Sequence, residues 1–220
     1  MTTKRWEILV ALAGLLAAIA PAPASAGPIT GSVSLDTSGL SGPFEIAFVF
    51  IDGSGTGDAN NTVTLSDFAF GAGGSAGTVD TTLTTGGVSG DLGSGVSIVD
   101  SDFLNIFASS FTPGSVFSFD FSITTNVDAG GTPDQLSMVL LLPDGTPVAT
   151  TDPSGIDALL TLDIDSASPQ FATFASEVTP APVVTLSTTV PEPTSVVLLT
   201  LALGLLSWIG PGRRSVAGSA

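Results

Sequence analysis

Apolar side chains recur at every second residue in two stretches: Phe44, Ile46, Phe48 and Phe50, then Phe117, Phe119, Phe121 and Ile123. A strand sends successive side chains to opposite faces, so this period marks half-buried antiparallel strands. Val63 and Leu65 alternate in the same way with Thr62, Thr64 and Ser66. Gln135–Leu142 reads as a more fully buried strand, closed by the turn Pro143-Asp144-Gly145. Asp152-Pro153-Ser154-Gly155 repeats that turn chemistry. With 26 Gly and 15 Pro, the chain has enough turn residues to separate many short strands. The pattern predicts an all-β fold, a jelly-roll-like β-sandwich. All 13 Phe lie between Phe44 and Phe174 and suit its core. One helical exception is expected. Phe103, Ile106, Phe107 and Ser110 have helical spacing, so Ser101–Ser110 reads as one or two helical turns.

Charge divides the chain differently. The four basic residues, Lys4, Arg5, Arg213 and Arg214, sit at the two ends. Of the 20 acids, all but Glu7 and Glu192 lie between Gly27 and Val190, where there is no Lys or Arg. Such a middle cannot neutralise phosphates, which excludes nucleic acid as a partner and disfavours anionic lipid. The chain has no His, Cys or Tyr. That removes disulfides, Cys/His metal sites and catalysis by those side chains.

At the N-terminus, Lys4-Arg5 precedes the uncharged run Ile8–Ala20, then Pro21 and Pro23. Ala24-Ser25-Ala26 follows, with small residues at both A-x-A positions. This predicts a signal peptide over 1–26, cleaved between Ala26 and Gly27, and implies the Sec export machinery as a partner. At the other end, Val183–Thr189 is β-prone, and Pro191-Glu192-Pro193 precedes the mostly apolar run Ser195–Ile209. A helix over Thr194–Ile209 spans about 24 Å at about 1.5 Å per residue, slightly short of a hydrocarbon core of about 30 Å. Arg213 and Arg214 can reach the cytoplasmic interface, which leaves the acidic middle outside. The expected order is therefore signal peptide 1–26, β domain 27–178, linker 179–190, sorting segment 191–214 and cytoplasmic tail 215–220.

The sequence Pro191-Glu192-Pro193, apolar helix, then Arg213-Arg214 resembles the C-terminal sorting signal of PEP-CTERM proteins. The resemblance implies an exosortase-like enzyme that recognises and removes the tail, in Gram-negative bacteria that make exopolysaccharide. Two prolines keep the motif extended and accessible at the membrane–water boundary. In the middle, several strings resemble a secreted PEP-CTERM subfamily with no assigned activity. They are Asn60–Leu65, Phe70–Gly74, Phe117–Phe121, Pro133–Leu136 and Thr151-Asp152. The expectation is an exported, non-enzymatic surface or matrix protein associated with exopolysaccharide and biofilm. Its precursor would sit in the inner membrane with the domain in the periplasm. The alternative is a calcium-dependent adhesion or carbohydrate-binding module.

Four polar groupings bear on chemistry. Asp52, Ser54, Thr56, Asp58 and Asn60 alternate, with Gly57 sixth, as in a Ca²⁺ loop. Ser54 and Thr56 replace the usual acids, and Val63 stands where a bidentate Glu belongs, so a solvated hairpin loop joining the Phe44 and Val63 strands is the plainer reading. No cofactor is expected beyond calcium at this loop. Asp157, Asp163 and Asp165 form a second acidic patch. Asp100 and Asp102 share strand phase as a carboxylate pair, but the middle has no Trp or Tyr to stack on a sugar and no Lys or Arg to steady an oxyanion. Asn60-Asn61-Thr62 matches the N-x-T glycosylation pattern, and Gly71–Gly77 reads as a surface loop, not a phosphate cradle.

Overall fold

Alternation becomes two six-stranded sheets in the computed structural model, which describes residues 27–126, 132–164, 169–178 and 181–189. One sheet runs in spatial order β12 (Val183–Thr189), β1 (Ile29–Asp36), β8 (Val116–Ile123), β3 (Thr62–Ala69), β6 (Gly95–Val99) and β5 (Gly87–Asp91). The other runs β11 (Gln170–Thr173), β10 (Ala158–Asp163), β9 (Gln135–Leu141), β2 (Phe44–Ile51), β7 (Leu104–Thr112) and β4 (Ser75–Val79). Each pairing is antiparallel. These strands belong to one compact unit, Ala26–Pro191.

The core lies between the sheets. Phe44, Ile46, Phe48 and Phe50 of β2 share one buried cluster with Val63 and Leu65 of β3 and Phe117, Phe119 and Phe121 of β8. Phe48 meets Phe119 from the other sheet edge to face, ring centroids 5.1 Å apart. Each such ring contributes about 1.5–3 kcal/mol through burial alone. A smaller cluster lies on the outer face of the β2–β7–β9–β10 sheet, where Ala47, Ala108, Val139, Leu141 and Ala158 are buried. That explains why Gln135–Leu141 lacks polar alternation: both of its faces are covered.

Four expectations are corrected. Ser101–Ser110 is not helical; Leu104–Thr112 is β7, paired with β2 from Phe44↔Phe111 to Ile51↔Leu104. Its core-facing positions include Asn105 and Ser109 beside Phe107 and Phe111, and these polar residues broke the period-two signal. The Asp52–Asn61 segment is not a hairpin loop, because β2 and β3 lie in different sheets and the segment crosses between them. The 179–190 linker contains β12, hydrogen-bonded to β1 from Asp36↔Val183 to Thr30↔Thr189. Gly71–Gly77 is a turn only in its first half, since β4 begins at Ser75. Ala24, Ala26, Pro191, Glu192, Pro193, Arg213 and Arg214 lie outside the described residues. Among the described residues, no helix is long and apolar enough to cross a membrane.

Candidate functional site

The core-facing phase of six strands runs one step past the apolar core and turns polar at the same end of the sandwich. On β2 the position after Phe50 in this phase is Asp52; on β6 Asp100 follows Ile98, and on β8 Thr125 follows Ile123. On the strands running the other way, Asn61 precedes Val63, Asn105 precedes Phe107 and Asp134 precedes Leu136. The registers Ile51↔Leu104, Ile51↔Gln135, Thr62↔Val99 and Val63↔Ile123 bring all six to one end. Five of the six are 0 % exposed and Thr125 is 8 % exposed, so this is a buried polar layer and not a solvated rim.

Asn61 joins the layer together. Its backbone N–H donates to both carboxylate oxygens of Asp100 at 3.0 Å. Its Nδ2 donates to Asp134 Oδ2 at 2.8 Å and to the Asn126 carbonyl at 2.9 Å. Its Oδ1 accepts from the Asn126 N–H at 2.8 Å and from Thr124 Oγ1 at 3.1 Å. Asp134 Oδ1 accepts from the Gly53 N–H at 2.8 Å. Asn61 thus holds the Asp100 and Asp134 carboxyl groups as close neighbours. Burial, with the nearby Asp134 and Asp58 carboxyls adding to it, pushes Asp100 up to about 7 against the opposing pull of the Asn61 N–H.

Asp52 has the opposite environment. One oxygen accepts from the Ser54 N–H at 2.7 Å; the other accepts from Ser54 Oγ at 3.0 Å, from the Thr56 N–H at 3.1 Å and from the Gly57 N–H. Burial disfavours its charge, but these donors outweigh that and hold its carboxyl below the ordinary range. Gly57 has φ +68°, and a Cβ there would stand 2.4 Å from the Ser101 carbonyl oxygen. The same Asp-x-Ser-Gly arrangement recurs at Asp152, which accepts from the Ser154 N–H, Ser154 Oγ and the Ala158 N–H. The Asp52 carboxylate therefore organises its own loop.

The proposed calcium-loop oxygens divide into two groups. Asp52, Ser54 and Thr56 are hydrogen-bonded together, while exposed Asp58 accepts from the Asn60 N–H and Nδ2, both at 3.1 Å. Asp100 and Asp102 do not pair: Asp100 is buried and Asp102 is exposed in the turn after β6. Asp157 and Asp163 flank opposite ends of β10, about 20 Å apart at about 3.3 Å per residue. Asp157 accepts from the Thr150 N–H and Asp163 from Gln135 Nε2, and Asp165 lies outside the described residues. Among the described residues, no group of three or more acidic side chains is gathered to hold a metal ion. Neither Asp134 nor Thr125 was singled out for chemistry in the sequence. The available signal was period-two extension past the last core residue, applied to every strand at once.

Comparison with protein-family models, curated proteins and solved structures yields no match to the chain.

Proposed function

We propose that the chain is an exported, non-enzymatic surface or matrix protein, delivered by the two terminal segments and processed at its tail by an exosortase-like enzyme. The observation that carries this reading is the order of parts. A signal-peptide pattern ends at Ala26, an acidic domain without Lys, Arg or His follows, and Pro191-Glu192-Pro193, an apolar run and Arg213-Arg214 close the chain. The bounds of the β domain agree with this order, since β1 starts at Ile29 and β12 ends at Thr189.

The jelly-roll reading draws support from the nesting of pairs. β1 pairs with β8, β2 with β7 and β3 with β6, as in one long hairpin rolled into two layers. Non-enzymatic function draws support from the acidic layer: the Asp100 and Asp134 carboxyls are fully buried and both are tied to Asn61. Glycoside hydrolysis needs carboxylates about 5–9.5 Å apart with the sugar between them. Phe103, 57 % exposed, is the open phenylalanine among the described residues, which leaves little surface for stacking on a sugar.

Mass spectrometry of the exported protein from its host tests the proposal. The expected mature form begins at Gly27 and ends upstream of Thr194. Both Trp residues, Trp6 and Trp208, are then absent. A surface form that begins at Met1 or retains Trp208 emission overturns export with tail removal.

A further inference from the structure

We propose that Asp100, Asp134 and Thr125 hold a calcium ion as a buried structural ion at the polar end of the sandwich. The site differs from the Asp52 loop, and the inference stands independently of the export reading. Two carboxyl groups held by the same Asn61, each 0 % exposed, need a counter-ion to carry charge together. The protein offers none, since no Lys, Arg or His occurs between Gly27 and Val190. A divalent cation balances two carboxylates fully, so a third acid is not needed.

The donors leave room for such an ion. Asp100 accepts from a single N–H, that of Asn61, and Asp134 from two groups, the Gly53 N–H and Asn61 Nδ2. Asp52, by contrast, accepts from four groups on one carboxylate. Lone pairs on the Asp100–Asp134 pair thus remain for a metal, and those on Asp52 are largely used.

Thr125 supplies the independent observation. Its Oγ1 is buried and has no hydrogen-bond partner, and the residue is 92 % buried. A buried hydroxyl without a partner costs about 1–3 kcal/mol. The antiparallel register Val63↔Ile123, continued by two residues, sets Thr125 opposite Asn61, the residue that contacts both carboxylates. Burial alternates along β8 and its continuation, with Phe121, Ile123 and Thr125 buried and Ser122 and Thr124 half-buried, so Thr125 lies on the core-facing phase that Asp100 and Asp134 share. Ca²⁺ takes about 6–8 oxygen ligands in flexible geometry at about 2.3–2.6 Å, and a hydroxyl beside two carboxylates starts such a set. The two carboxyls straddle the ion, and carbonyl or water oxygens complete its shell. Mg²⁺ demands stricter octahedral geometry and keeps its waters, which suits a buried layer less well.

The test uses the full-length chain, stripped with EDTA and titrated with CaCl₂ at fixed ionic strength and pH 8. The expected result is a saturating rise in melting temperature that NaCl does not reproduce. Asp134→Asn abolishes the rise, and Asp52→Asn leaves it. Thr125→Val weakens calcium affinity about tenfold, as loss of one ligand should, yet leaves the melting temperature in EDTA unchanged or higher because an unsatisfied hydroxyl is gone. If Asp134→Asn does not fold, the Thr125→Val comparison decides alone. No calcium-specific rise, a rise that survives Asp134→Asn, or a calcium affinity untouched by Thr125→Val overturns the proposal.

Discussion

At the scale of single residues, Asp52 and Asp100 show how one side-chain type serves opposite ends according to its donors. Removing the Asp52 carboxylate leaves the Ser54 and Gly57 N–H groups without an acceptor and leaves the Thr56 N–H and the Ser54 hydroxyl only their weaker or mutual bonds within the loop. Asp52→Ala should therefore cost about 3 kcal/mol in urea denaturation. Asp58→Ala, at an exposed position, should stay within about 0.5 kcal/mol. Asp100 predicts a pH dependence in calcium-free solution. Its carboxyl titrates near 7 in the folded protein, against about 3.9 in an unfolded chain. The folded state then binds more protons across that interval, so stability falls as pH rises from about 4 to about 7 and levels off above. Asp52 and Asp152 are lowered, so their contributions hold above the unfolded value and are lost as pH falls below it. Urea midpoints in EDTA between pH 4 and pH 8 check the sign, and Asp100→Asn should flatten the decline. An equally steep decline in that variant would mean that general acidic repulsion accounts for it.

At the scale of elements, alternation was legible in β2, β3 and β8, whose core-facing residues are apolar, and β9 was read from its nearly unbroken apolar run. Alternation failed on β7, where Asn105 and Ser109 interrupt the core phase, and the i, i+3, i+4 spacing of Phe103, Ile106 and Phe107 imitated a helix. The polar layer was illegible for a related reason. Each of its members reads as the end of a strand, and only the pairing of six strands from both sheets brings them together. Of the layer, only Asp52 and Asp100 drew chemical interest in the sequence: Asp52 does bond its neighbours Ser54 and Thr56, whereas Asp100 is joined through Asn61 to Asp134 and not to Asp102. Packing predicts unequal costs for two phenylalanines. Phe48→Ala, at a fully buried ring, should cost about 3–5 kcal/mol, and Phe103→Ala, at 57 % exposure, close to nothing. Gly31 sets the docking of β12. A Cβ there would stand 2.3 Å from the Ser187 carbonyl oxygen and 2.7 Å from the Phe121 ring. Gly31→Val should therefore strip hydrogen-exchange protection from Val183–Thr189 while the β2 and β9 amides keep theirs. Retained protection across β12 would show that the edge strand accommodates the side chain.

At the scale of the whole molecule, an acidic domain without internal cations repels itself at neutral pH. With calcium removed by EDTA, raising NaCl or KCl from about 10 to about 200 mM should lift the melting temperature by similar amounts, because screening depends on ionic strength and not on the identity of the monovalent cation. A melting temperature indifferent to salt would mean that the acids are too dispersed over the surface to matter. The placing of β1 and β12 has a mechanical consequence. They are antiparallel neighbours, and Thr30 stands opposite Thr189, so both ends of the domain emerge side by side. β12 is an edge strand, bonded to β1 alone. A pull applied between residues 29 and 189 therefore loads the β1–β12 hydrogen bonds one after another, like a zip, and never all together in shear. Single-molecule stretching from these two points should give an early, low-force release of β12 ahead of the main rupture. The sheet beneath stays intact until the load reaches β1 and its ladder with β8. A protein tethered by its C-terminus would thus pay out a short length of chain under drag before its folded core bears the strain.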